Sequence, residues 1–267
     1  MIEVSWVVYF LVLGGIVGFI AGLLGVGGGG ILVPFLSLMF IEMGVTKEEV
    51  MHVALGTSMA CIIVTSLSSL HAHHKKGAVQ WSIVRGMSLG VILGTFTATF
   101  VASHLNSIYL AFVFACFMIW TAVKLVRKRH SDNPCKEKNK VKLFLPAFGI
   151  GNISALVSIG GGSLTVPFLV KQNIDIKSAV GTSAAIGLPI SIAGTLGYLL
   201  NGSTASEAIT SQVGFIYLPA VILISLSSFL LAPLGVRVSH QLEVQTLKTL
   251  FAILLIALSL KTLWLFV

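Results

Sequence analysis

The stretch GLLGVGGGGILVPFL at residues 22–36 recurs as ALVSIGGGSLTVPFL at residues 155–169. A second pair follows in the same order, because ALGTSMA at 54–60 is matched by AVGTSAA at 179–185. Each half of the chain therefore contains a hydrophobic segment, a glycine run, a short apolar stretch and three longer hydrophobic segments. Duplicated hydrophobic halves with glycine interruptions at matching positions are typical of transporters that bind their substrate where the halves meet.

The composition is that of a membrane protein. Of the 267 residues, 56% are hydrophobic and 10% are charged, and the mean hydropathy is +0.99, which is too apolar for a soluble domain. We therefore predict an all-α polytopic membrane protein with two homologous halves. Long apolar stretches, near the ~20 residues that cross a bilayer, lie at 4–24, 50–70, 79–102, 107–126, 142–159, 178–200, 212–232 and 245–266, and short ones lie at 31–43 and 163–173.

A basic linker joins the halves. We place the first transmembrane repeat at 1–126, the linker at 127–141 and the second repeat at 142–267. Much of the formal net charge of +8 lies in and beside this linker, which predicts a cytoplasmic loop of a multi-pass protein in the cell (inner) membrane rather than a nucleic-acid site. The cysteines have no metal or disulfide spacing, so we expect neither a metal nor another cofactor.

The basic residues favour an inverted arrangement of the halves. If the short stretches cross the membrane, each half has five elements and the second half is inverted. If they only re-enter, each half has four elements and the halves are parallel. With the linker in the cytoplasm, the inverted arrangement puts 15 Lys and Arg residues inside and 2 outside, against 12 and 5 for the alternative. The positive-inside rule therefore predicts an inverted repeat of five elements each, with about eight long helices and two short half-helices after the glycine loops.

The glycine runs form the predicted substrate site. Glycine turns the chain sharply and exposes backbone N–H groups, and the half-helix that follows directs free N–H groups and its positive dipole end the same way, which favours anions. Close packing of helices is the structural alternative. Ser163 is either the N-cap of the second half-helix or a direct donor. The predicted substrate-binding residues are Gly27, Gly28, Gly29, Gly30, Gly160, Gly161, Gly162 and Ser163.

The second repeated motif adds four hydroxyl groups to the prediction. Thr57 and Ser58 lie near the start of one long helix, and Thr182 and Ser183 lie near the start of its counterpart. Their hydroxyl groups can donate to a bound oxyanion without the cost of burying a charge. The alternative is that they bond back to carbonyl groups of their own helix or bond across a helix pair.

Every Asp and Glu lies near a predicted membrane edge or in a loop. Carriers coupled to protons or sodium commonly keep a carboxylate at membrane depth. An anion that leaves a cell with a negative interior gains about 2.3 kcal/mol per charge per 100 mV. The sequence thus favours anion export driven by the membrane potential.

The paired motifs GLLGVGGGGILVPFL and SIGGGSLTVPFL, each followed by an AxGTS element, resemble those of the TauE/SafE family of sulfite and organosulfur exporters. The resemblance covers nearly the whole chain. It implies a secondary transporter that exports small sulfur-containing or organic anions, of the sulfite and sulfonate class, by alternating access. One departure is that the first half has eight more residues between its VPF and GTS motifs.

Three other functions remain as alternatives: an anion channel, a membrane enzyme of sulfur metabolism, and a membrane protein that transports nothing. The lack of an intramembrane carboxylate, a histidine cluster or a CxxC motif argues against an enzyme. The expected partners are a small anionic substrate and the lipid bilayer, with a homodimer left open.

Overall fold

The computed structural model describes residues 4–24, 28–126, 143–202, 211–239 and 244–266. Within these ranges the chain forms ten helices and one short antiparallel hairpin. The elements are α1 (Val4–Leu24), α2 (Gly29–Glu42), α3 (Val50–Lys75), α4 (Trp81–Ser103), α5 (Ser107–Val126), α6 (Phe144–Val157), α7 (Gly162–Val170), α8 (Ile176–Asn201), β1 (Gln212–Val213), β2 (Ile216–Tyr217), α9 (Leu218–Ser239) and α10 (Val244–Trp264). The predicted all-α polytopic membrane protein is confirmed. The linker at 127–141 lies outside the described residues.

In the part of the chain that the structure describes, six helices are long and apolar enough to cross a membrane, by length and composition: α1, α3, α4, α5, α8 and α9. The predicted half-helices are α2, with 14 residues, and α7, with 9. At 1.5 Å per residue they measure about 21 and 14 Å, well short of ~30 Å of hydrocarbon. Pro34 and Pro167 occupy equivalent positions in these two helices. Both helices start within the glycine runs rather than after them.

Two elements differ from the predicted segments. Helix α6 has only 14 residues, because Ser158 adopts a left-handed backbone conformation, with φ 48°, and ends it. The predicted span 212–232 begins with the β1–β2 hairpin instead of a helix. Gly214, with φ 57°, supplies the turn of that hairpin, and α9 starts only at Leu218.

The two halves do not pack as separate units. Helix α1 packs chiefly on α9, and α4 packs chiefly on α6, so that each half pairs its helices with those of the other half. Helix α3 lies at the centre of the molecule. In its most apolar stretch of 18 residues 78% are buried, against 28% in the corresponding stretch of α9. Its main neighbour is α8, the corresponding helix of the second half.

Glycines let the helix backbones touch in the α1–α9 and α4–α6 pairs. Helix α1 presents a glycine at every fourth position to the backbone of α9, and α4 and α6 meet in the same way. Close approach of small residues is the usual way in which helices associate in a membrane. The rising numbers of both partners show that the helices of each pair run parallel. The contacts are Gly14 with Ile224, Gly18 with Ser228 and Gly22 with Ala232 in the α1–α9 pair, and Gly90 with Phe144, Gly94 with Phe148 and Thr95 with Gly151 in the α4–α6 pair.

The central pair runs antiparallel. Residues that follow one another along α3 contact residues in descending order along α8. An inverted five-plus-five repeat requires α3 and α8 to be antiparallel, whereas a parallel four-plus-four repeat would make them parallel. The contacts are Gly56 with Tyr198, Met59 with Gly194 and Ser66 with Gly187.

The repeated threonines link the two halves by equivalent hydrogen bonds. The N–H of Tyr217, just before α9, donates to Thr57 Oγ1 on α3 at 3.0 Å. The N–H of Gln80, just before α4, donates to Thr182 Oγ1 on α8, also at 3.0 Å. Each threonine thus satisfies an N–H group at the start of a helix of the opposite half. We refer to these bonds as the two threonine links.

We expect Gly18→Ala to destabilise the protein, because the new methyl group would overlap the backbone of Ser228. Overpacking of this kind costs about 1–3 kcal/mol, which should lower the thermal midpoint of the detergent-solubilised protein. Gly149→Ala is the matched control, since nothing lies within 4 Å of that position. A thermal midpoint in the Gly18 variant as high as in the control would contradict the close backbone contact between α1 and α9.

We expect Thr57→Val to lower the thermal midpoint, because it leaves the buried N–H of Tyr217 without an acceptor, at a cost of about 1–3 kcal/mol. Thr57→Ser, which keeps the oxygen, should retain most of the stability. Thr262→Val is the control, since that hydroxyl group bonds to Leu258 O of its own helix. Equal losses in the two valine variants would refute a special role for the link.

Candidate functional site

The two glycine loops meet each other in the middle of the molecule. Gly29, at the start of α2, lies directly against the carbonyl group of Ser158, the residue that ends α6. A methyl group at position 29 would overlap that carbonyl oxygen and would lie 2.9 Å from the side chain of Ile62. Only glycine permits this approach of two backbones.

The loops lie at mid-depth along the central helices. Ile62, which contacts the first loop, stands near the middle of α3. Gly187, near the middle of α8, contacts the carbonyl group of Gly160 in the second loop. Ser66 of α3 lies at the same place, with Oγ 3.2 Å from the position of a Cβ on Gly187. Both glycine runs therefore lie against the α3–α8 pair.

Both half-helices begin without a side-chain cap. The N-cap residues are Gly28 for α2 and Gly161 for α7, and neither can provide a capping oxygen. Gly161 has φ 78°, a conformation that favours glycine. Of the two alternatives for Ser163, the N-cap is wrong, because α7 begins at Gly162 and Ser163 is its second residue. The first N–H groups of both helices thus have no side-chain acceptor at the cap, and positive dipole ends lie at the loops.

A small cavity, with room for about one water molecule, lies beside the first loop. It brings together predicted residues of both halves, Gly28 and Gly30 from the first and Ser163 from the second. Thr121 of α5 adds a hydroxyl group. The remaining lining is apolar and consists of Ile20, Ala21, Ile31, Met118, Ile159 and Leu255.

Ser58 has a fully buried hydroxyl group at the junction of the loops. On α3 it lies between Leu55, whose carbonyl group lies 3.4 Å from Ser158 Oγ, and Ile62, which contacts Gly29. Its side chain is 0% exposed, and its Oγ has no hydrogen-bond partner among the described residues. A buried unpaired hydroxyl group is costly, which makes Ser58 a candidate for ligand binding.

The other residues of the second motif have partners in the protein. Thr57 and Thr182 form the two threonine links. Ser183 donates to Val180 O of its own helix at 2.8 Å. Bonds within the protein thus account for the hydroxyl groups of these three residues. Each threonine hydroxyl group only accepts in its link, however, and can still donate. Gly27, also predicted at the site, lies outside the described residues.

Sequence reasoning missed Thr121 and His52. Thr121 belongs to neither repeated motif, so nothing in the sequence marked it. His52 is buried, with Nε2 3.0 Å from Ala102 O and Nδ1 3.2 Å from Ser107 Oγ, and its ring stacks on Phe215 of the hairpin. The longer interval between the VPF and GTS motifs of the first half was the available signal, because His52 lies within it. This histidine joins the first half to the hairpin of the second.

No Asp, Glu, Lys or Arg is buried among the residues whose side chains the structure describes. The polar groups at the loop junction are hydroxyl groups and backbone amides. Neutral donors of this kind can bind an anion without the desolvation cost of a fixed charge.

The comparisons with known proteins agree with this architecture. The family model described as "Sulfite exporter TauE/SafE" matches residues 10–262. A probable membrane transporter protein of Haemophilus influenzae is 34% identical over 258 residues, which cover 96% of this chain and 98% of that protein. A probable membrane transporter protein of Methanocaldococcus jannaschii is 25% identical over 248 residues, covering 92% and 91%. No solved structure gives a significant match. These findings confirm the resemblance seen in the paired glycine motifs, and the chain belongs to the TauE/SafE family of membrane transporters.

Proposed function

We propose that this protein is a secondary transporter of the cell (inner) membrane that exports small sulfur-containing or organic anions by alternating access. The observation that carries the proposal is the contact between Gly29 and Ser158, which joins the two glycine loops at mid-depth. The match to the sulfite exporter family supports the sulfur-anion class.

The chemistry of the loop junction suits an anion. Two uncapped helix starts direct N–H groups and positive dipole ends toward the loops. The unpaired hydroxyl group of Ser58 lies between the two loop contacts on α3. Substrate sites in transporters commonly combine such discontinuous helices with a location near the bilayer midplane.

The threonine links support an alternating-access mechanism. Each link lies near the N-terminal end of a central helix, Thr57 on α3 and Thr182 on α8. Because these helices run antiparallel, the two links lie toward opposite ends of the pair. We propose that opening toward one side breaks one link while the other holds. The antiparallel pair also supports the inverted repeat, with the linker in the cytoplasm.

The membrane potential is the proposed driving force. Export of a monoanion from a cell with a negative interior releases about 2.3 kcal/mol per 100 mV. In this scheme no carboxylate has to take up and release a proton, which fits the absence of buried carboxylates among the described side chains.

We expect purified protein in liposomes to transport sulfite or a sulfonate at a rate that saturates with concentration and rises with an imposed potential. Ser58→Ala should raise KM about tenfold, because a hydrogen bond to a charged ligand is worth about 1.5–3 kcal/mol. Ser259→Ala is the matched control, since its buried hydroxyl group bonds to Leu255 O of its own helix. Non-saturating flux would indicate a channel, and absence of flux for sulfite, sulfonates and carboxylates would overturn the proposal.

We expect single cysteines at Lys76 and Lys177 to react with a membrane-impermeant maleimide only from the cytoplasmic side. Both residues are exposed, at the ends of α3 and α8 that the inverted repeat places inside. A cysteine at Glu48, before α3, should react only from the opposite side. Labelling of positions 76 and 177 from opposite sides would contradict the inverted repeat.

A further inference from the structure

Among the side chains that the structure describes, His52 is the only buried one that ordinarily exchanges a proton between pH 5 and 8. It lies in the first turn of α3, near the end of this helix that the inverted repeat places outside. The function proposed above gives this histidine no task.

The surroundings of the His52 ring contain acceptors for two N–H groups. Nε2 lies 3.0 Å from the carbonyl oxygen of Ala102, which can only accept, so Nε2 carries a proton. Nδ1 lies 3.2 Å from Ser107 Oγ. The hydroxyl proton of Ser107 is donated to the carbonyl oxygen of Glu48, so Nδ1 faces a lone pair and needs a proton of its own. An imidazolium ring satisfies all of these atoms, whereas a neutral ring sets Nδ1 against an acceptor.

Three further contacts favour the charged ring. The carbonyl group of Leu105 interacts with it, and the carboxylate of Glu49, just before α3, attracts it. Phe215 of the hairpin stacks on the ring, with centroids 4.9 Å apart, and an aromatic face attracts a cation. Burial opposes a charge, and these contacts act against that cost.

The other ionisable groups on the neighbouring segments do not share these bonds. Lys47 and Glu48 have exposed side chains, so solvent screens their charges. His104, at the end of α4, is exposed, and its Nδ1 lies 2.9 Å from a carbonyl oxygen of its own helix. The hairpin residues 211–217 include no charged side chain, and the ring of Tyr217 packs on aromatic rings of α1 and α2.

The stacked pair lies beside one of the two threonine links. Tyr217, two residues after Phe215, donates to Thr57, five residues after His52. Between them, Gly56 packs directly against the carbonyl group of Phe215. The hairpin is thus held on the first turns of α3 at three positions, and of these only the contact at His52 depends on a proton.

We propose that His52 binds a proton from the external side and that the protonated ring holds the β1–β2 hairpin on α3. The proposal rests on the inverted repeat and alternating access of the proposed function, and it adds regulation by pH. At low external pH both ring N–H groups donate and the ring attracts Phe215, so the outer side stays closed. As the pH rises, Nδ1 loses its proton, this stabilisation is lost, and the hairpin is released more often. External acid therefore slows export.

Release of the hairpin can be measured without any substrate. Single cysteines replace Ile216, 2% exposed, or Val213, 45% exposed, in the full-length detergent-solubilised protein whose native cysteines are changed to alanine. We expect maleimide labelling at 216, divided by labelling at 213 to correct for the reactivity of the thiol, to rise about threefold or more from pH 5.5 to 8. His52→Gln, whose amide does not titrate, should abolish the rise.

Two further variants make the assignment specific. His104→Gln is the matched control, because this exposed histidine at the same end of the molecule bonds to its own helix, and the rise should remain. Phe215→Leu keeps an apolar side chain but removes the aromatic face. It should move the midpoint of the rise to lower pH by about half a unit, because the charged ring loses a stabilising contact.

The transport assay tests the same proposal in liposomes at a fixed imposed potential, with ethanesulfonate as a probe that stays ionised over this pH range. Export should be about threefold or more slower at external pH 5.5 than at pH 8 in wild type, and equal at both in His52→Gln.

The outcomes separate this proposal from the proposed function. A labelling ratio that does not change with pH, a rise that survives His52→Gln, or a rise that His104→Gln abolishes would overturn the role of His52. Export by wild type that is equal at both external pH values would overturn the regulation and support the transporter. Absence of transport of every anion tested would overturn the proposed function, whereas the labelling ratio by itself still decides whether protonated His52 holds the hairpin.

Discussion

Direct backbone contact at glycine is the constraint on which the rest of this structure depends. At Gly29 the absence of a side chain lets α2 begin against the carbonyl group that follows α6. The same property lets α1 approach α9 and lets α4 approach α6 along their glycine positions. Because lipid gives helices no hydrophobic reason to associate, such close contacts and interhelical hydrogen bonds must hold the bundle together. These contacts join the two halves along the α1–α9, α4–α6 and α3–α8 pairs.

The two halves are equivalent in packing but differ in chemistry. Both threonines of the repeated motif accept an N–H group from the opposite half. The serines beside them diverge, since Ser183 bonds to its own helix while Ser58 remains unpaired. Ser183 donates to the carbonyl group three residues before it. The carbonyl group three residues before Ser58, that of Leu55, instead accepts from Ser158 Oγ of the second half. The threonine contacts of the two halves are thus equivalent, whereas the serines of the repeated motif are not.

Much of the architecture could be predicted from the chain itself. The apolar segments marked the helices, the repeated glycine runs marked the breaks between them, and two repeated motifs marked the loops that meet. The errors lie where local backbone geometry decides: Ser158 ends α6 early, and Gly214 turns a predicted helix start into a hairpin. A left-handed residue or a two-residue turn has little effect on hydropathy, so the hydrophobic pattern could not reveal either.

The sequence by itself determined the membrane class, the duplication and the family, because these depend on composition and on motifs that are contiguous in the chain. Only the tertiary structure decided the role of each hydroxyl group. Thr57 and Thr121 have the same side chain, yet one accepts a backbone N–H and the other has no partner among the described residues. That difference depends on which backbone group a distant segment brings within 3 Å, and no local pattern of residues records it.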